Sequence, residues 1–122
     1  MATFSKVFLS ESAGGRPVKA AATATPGTLV HATGTSSTVI DEVWLYAHNT
    51  DAVVRDLTIE FGGVTSPDDT IVLKLEPWSG LVLVLPGLPV AGDGTGARNV
   101  RAFASAANVV TIMGYVNRIT PP

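Results

Sequence analysis

Apolar residues in this chain recur at every second position far more persistently than at every third or fourth, the spacing of strands and not of helices. Val53 to Phe61 is the cleanest case. Leu57, Ile59 and Phe61 alternate there with Asp56, Thr58 and Glu60, which makes a half-buried strand with one apolar and one wet face. Thr70 to Leu75 repeats the pattern, with Ile71, Leu73 and Leu75 set against Val72 and Lys74. Val39 to His48 is different: Val39, Asp41, Val43, Leu45 and Ala47 share one face, and Ile40, Glu42, Trp44, Tyr46 and His48 the other. Large apolar groups on both sides predict a central strand packed on two sides. Leu81 to Leu85 is apolar on both faces as well. Further strands are expected at Thr28 to Thr33, Val100 to Ala104 and Val109 to Ile119, with extended chain from Arg16 to Ala24.

Turn chemistry separates these runs. Ser12-Ala13-Gly14-Gly15, Thr25-Pro26-Gly27, Asn49-Thr50-Asp51 and Ser66-Pro67-Asp68-Asp69 supply fixed φ at proline, free φ at glycine and short side chains that bond local backbone. Pro86 to Ala97 holds two prolines and four glycines and reads as a long exposed loop. No segment offers a helix long enough for a parallel crossover. The expected fold is therefore all-β, an antiparallel β-sandwich or jelly roll of about seven to nine short strands. Residues 16–122 form its single β-sandwich domain, as suits a chain of 122 residues. Residues 1–15 precede it as an N-terminal strand or arm, because Phe4, Lys6 and Phe8 against Ser5, Val7 and Leu9 is no clean two-faced pattern.

Composition turns attention from catalysis to assembly. Charged residues are 15% of the chain and hydrophobic ones 46%, against roughly 25% charged in ordinary soluble domains. Little charge is available to oppose the close approach of a second copy. The net charge is −2, and the eight Lys and Arg residues are scattered, so the basic footprint of a nucleic-acid binder is missing. No membrane is expected as a partner either: the longest apolar tract, Leu81 to Leu85, falls far short of the roughly 20 residues that span a bilayer. Met1 to Ser10 lacks the apolar stretch and cleavage site of a secretory signal, so a soluble, unprocessed product is expected. With no cysteine, disulfides and thiolate metal sites are excluded.

Candidate chemistry is thin. His31 and His48 are the only histidines, and neither sits in a motif with a nucleophile such as Gly-x-Ser-x-Gly, so strand-face roles are expected. Asp41 and Glu42 are neighbours on a strand, point to opposite faces and cannot grip one ion together. Asp68 and Asp69 read as a turn rather than a calcium loop, which needs six to eight oxygen ligands. Ala91-Gly92-Asp93-Gly94-Thr95-Gly96-Ala97 lacks the Lys-Ser/Thr ending of a phosphate-binding loop. No catalytic residue, metal or cofactor is expected. Trp44 and Tyr46 share a strand face and suit a core, a subunit interface or a sugar-stacking platform; the core or interface is preferred.

One set of phrases carries a resemblance. Leu9-Ser10-Glu11-Ser12, Gly15-Arg16-Pro17-Val18-Lys19, Ala21-Ala22-Thr23-Ala24-Thr25-Pro26-Gly27-Thr28, Leu45-Tyr46-Ala47-His48-Asn49, Leu57-Thr58-Ile59-Glu60-Phe61-Gly62-Gly63, Ala102-Phe103-Ala104-Ser105-Ala106-Ala107-Asn108 and Gly114-Tyr115-Val116-Asn117-Arg118-Ile119 resemble small virion proteins of tailed bacteriophages, of the capsid decoration or cement type. The resemblance implies a non-enzymatic structural protein on the outer surface of the capsid, a major capsid protein as partner and a homotrimer at three-fold positions. The capsid-binding side chains expected are Phe4, Val7, Phe8 and Leu9, with Arg16 and Lys19; the oligomer interface expected is Trp44 with Tyr46. A tail or head-fibre adhesin, or a carbohydrate-binding β-sandwich module, is the alternative.

Overall fold

A computed structural model describes all 122 residues and contains strands and turns without a helix. The strands are β1 (Thr3–Phe8), β2 (Val18–Lys19), β3 (Thr28–Ala32), β4 (Ile40–Asn49), β5 (Arg55–Phe61), β6 (Thr70–Leu75), β7 (Val82–Val90), β8 (Asn99–Ala104) and β9 (Val110–Thr120). They form two antiparallel sheets, one of five strands ordered β1-β9-β4-β7 with β2 also on β9, and one of four ordered β3-β8-β5-β6. The protein is an antiparallel β-sandwich.

Alternation explains the core. From β4, Asp41, Val43, Leu45, Ala47 and Asn49 are buried while their neighbours are not. Val110, Ile112 and Val116 of β9 meet them from the adjoining strand. Leu57 and Ile59 of β5, with Val100, Ala102 and Ala104 of β8, close the core from the other sheet. Gly114 marks the tightest contact between β4 and β9, where a Cβ would fall on the Trp44 carbonyl.

Three readings need correction. Pro86 to Ala97 is not all loop, because β7 runs through Pro86, Gly87 and Pro89 to Val90. Proline is tolerated there since β7 lies at the sheet's edge with only β4 as neighbour, and two register shifts absorb the irregularity. Arg16 to Ala24 contributes only the two residues of β2. Val39 to His48 is central in its sheet, but only its inner face is fully buried; Trp44 and Tyr46 on the outer face are half-buried, with no second sheet over them. The question left open at the N-terminus resolves to a strand: β1 pairs with β9 through six residues, from Thr3 opposite Thr120 to Phe8 opposite Tyr115.

Candidate functional site

Two polar or aromatic groupings stand out, one inside the sandwich and one on its surface. Inside, Asp41 of β4 joins His31 of β3 and Arg118 of β9. Arg118 donates from Nε to Asp41 Oδ1 at 2.8 Å and from Nη2 to Oδ2 at 3.0 Å, and His31 Nε2 lies 2.8 Å from Oδ2. The Ser10 backbone N–H donates to His31 Nδ1 at 3.0 Å, so the ring proton resides on Nε2 and is given to Asp41. Burial alone would push the Asp41 carboxyl up, but the hydrogen bonds from Arg118 and His31 and the charge of Arg118 outweigh it and hold the carboxyl below its ordinary value. The same contact raises Arg118. His31 and Asp41 are each 1% exposed, and the third partner is a backbone amide in place of a nucleophile. Chemically this is a clasp between the sheets.

His48 lies apart, at the surface, with Nδ1 3.3 Å from the Gly80 carbonyl and its ring tilted against Trp78. No cluster of three or more His, Asp or Glu side chains is arranged to hold a metal ion. Asp69 caps its own turn by accepting the Thr65 N–H. Asp93 does the same for Gly96 and Thr95, which brings its carboxyl down to about 2.

The surface grouping is the outer face of the β1-β9-β4-β7 sheet. Register sets Phe8, Tyr115, Trp44 and Pro86 in one row and Met113, Tyr46 and Leu83 in the next. Trp44 and Tyr115 lie within 12° of parallel with centroids 6.1 Å apart, and Lys6 Nζ sits 4.6 Å above the Tyr115 ring. Trp44 lies against Gly87, where any Cβ would strike the indole. Phe4, Phe8, Leu81, Leu83 and Trp78 are exposed. Where β9 passes from β1 to β2 it leaves a shallow depression of about 550 Å³ lined by Phe8, Gly15, Gly114 and Tyr115.

No protein-family model and no curated protein matches this chain.

The residues expected to bind a capsid divide. Phe4 and Phe8 stand exposed on β1, and Arg16 and Lys19 flank a second shallow depression beside β2. Val7 is half-buried against the core. Leu9 is 1% exposed and belongs to the core, so it offers nothing to a partner; the apolar run was misleading because the last residue turns inward under the sheet. Trp44 and Tyr46 are on the outer face and not in the core. Tyr115, Met113 and Leu83 were missed. Their signal was present in the alternation of Met113, Tyr115, Asn117 and Ile119, but which side of β9 faces outward depends on its pairing with β4.

Proposed function

We propose that this chain is a non-enzymatic capsid decoration protein of a tailed bacteriophage, which binds the outside of the head lattice and stabilises it. The phage assignment rests on the resemblance in sequence. The observation that supports a binding role is the half-exposed aromatic sheet face of Trp44, Tyr46 and Tyr115, bordered by the exposed Phe4 and Phe8 of the edge strand. A patch of this kind on a stable domain marks a contact surface. The capsid contact is assigned to the β1–β2 edge, where Phe4 and Phe8 supply apolar area and Arg16 and Lys19 supply charge. Binding only to the assembled lattice stabilises that state by mass action. Three copies around each three-fold position of the head follow from the resemblance.

Cosedimentation with emptied heads of the encoding phage tests this. The full chain should pellet with heads, and Phe4→Ser/Phe8→Ser should lose about 100-fold or more in affinity, since two buried phenylalanines contribute about 1.5–3 kcal/mol each. Failure of the full chain to bind heads, or unaltered binding by the double variant, overturns the assignment. The near-parallel Trp44 and Tyr115 rings favour a second reading, a sugar-stacking platform in an adhesin or carbohydrate-binding module. Glycan binding abolished by Trp44→Ala, with no head binding, would establish that alternative.

A further inference from the structure

The outer face carries one feature that neither an apolar surface nor a sugar platform needs. Register places Lys6 of β1, Asn117 of β9 and Glu42 of β4 in a single row, between the row of Phe4, Ile119 and Ile40 and the row of Phe8, Tyr115 and Trp44. A cation and an anion therefore stand one strand to either side of β9, within otherwise apolar surroundings. No ion pair within the chain engages Glu42 or Lys6; the lysine rests on the Tyr115 ring.

A two-fold axis laid along β9 in the plane of the face exchanges β1 with β4 between two copies. It sets Lys6 of each copy opposite Glu42 of the other, Phe8 opposite Trp44 and Phe4 opposite Ile40, while Asn117 meets its own counterpart. The other in-plane axis, across the strands, would oppose Lys6 to Lys6 and Glu42 to Glu42. Sheets pack face to face about 30° out of line. At about 4.8 Å between strands, that rotation moves a residue beside the axis by roughly 2.5 Å relative to its opposite number, within the reach of a lysine and a glutamate. With the axis on β9 the opposed part of the face is β1, β9 and β4, since β7 of each copy passes beyond the other's edge strand, and it runs from Ile40 to His48, roughly 14 by 27 Å or about 400 Å² in flat projection. That is about half the roughly 800 Å² per partner of a standard interface, which makes this a weak, transient contact whose register is set by charge.

We propose that, free in solution, this face docks on the same face of a second copy of the chain, as an isologous dimer held in register by two Lys6–Glu42 pairs. The proposal rests on the face alone and not on the capsid reading, and its test contains no heads. Sedimentation velocity on the full chain should show a dimer. Lys6→Glu alone and Glu42→Lys alone should each weaken it at least about tenfold, because like charges then oppose one another twice. An equimolar mixture of the two variants should recover the dimer, since each altered charge meets its opposite on the other chain. Thermal melts of each variant at dilution check that folding is unchanged. A wild-type monomer at high micromolar concentration, an oligomer indifferent to both substitutions, a trimer, or a mixture that stays monomeric each overturns the proposal.

Discussion

On the outside of the β3-β8-β5-β6 sheet the charged groups are answered within the chain. Lys74 Nζ binds Asp56 at 2.9 Å. Glu60 accepts the Gly27 N–H and the Thr25 hydroxyl, each at 2.6 Å, and Arg101 donates to the Gly27 carbonyl. The Thr25–Gly27 turn thus laps over its own sheet and leaves Glu60 only 1% exposed. On the outside of the β1-β9-β4-β7 sheet Trp44, Tyr46 and Tyr115 are only half-buried, Phe4, Phe8 and Leu83 are exposed, and no ion pair within the chain engages Glu42. Both sheets bury the same kind of aliphatic inner face, so stability does not require the difference. One outer face is finished by local hydrogen bonds, and the other keeps exposed apolar side chains and an unpaired Glu42.

The largest perturbation removes what both faces share. Asp41→Ala strands the buried His31 N–H and leaves the partly exposed Arg118 guanidinium without its carboxylate, and should cost about 2–4 kcal/mol in urea unfolding, with both faces lost in one transition. A cost below about 1 kcal/mol would show that the clasp is incidental. Its pH dependence has a definite sign. The folded-state carboxyl is held below its unfolded value near 3.9, so its stabilisation is complete above that value and lost as pH falls through the lower folded one. Wild type and Asp41→Ala should therefore converge only below about pH 4.

Glu60→Ala tests the finished face and should cost roughly 1.5–3 kcal/mol, because it removes charge-assisted bonds and leaves the Gly27 N–H unsatisfied. Amide exchange should quicken at residues 25–27 and leave the β4–β9 ladder protected; uniform quickening would mean that the turn is not a separate lid over its sheet. The smallest effect is expected on the open face. Phe4 is 72% exposed, so Phe4→Ser should change the stability of the dilute protein by no more than about 0.5 kcal/mol. A loss of 2 kcal/mol or more, by that same expectation, would make this face part of the fold and erase the contrast.

Most strands were legible because alternation is a local signal: Leu57, Ile59 and Phe61 against Asp56, Thr58 and Glu60 identify β5 without any knowledge of its neighbours. Where an edge position relaxed the local rules, legibility failed. Pro86 and Pro89 argued for a loop, yet an edge strand with one neighbour has backbone N–H positions it can do without. Glu60 was assigned correctly to the polar side of β5, but its burial comes from a turn more than thirty residues away in sequence.

By itself the sequence determined the strand class, the two-faced character of β4, the absence of thiol chemistry and the low charge that permits self-contact. Each of these follows from residue type and spacing along a few neighbouring positions. Only the tertiary structure decided that His31, Asp41 and Arg118 meet, that Leu9 turns into the core while Phe8 stays outside, and that Lys6 and Glu42 flank one strand in a single row. Those facts depend on which strands pair and in what register. The register is set by burying two apolar faces together across the whole chain, and no local stretch of residues contains that information.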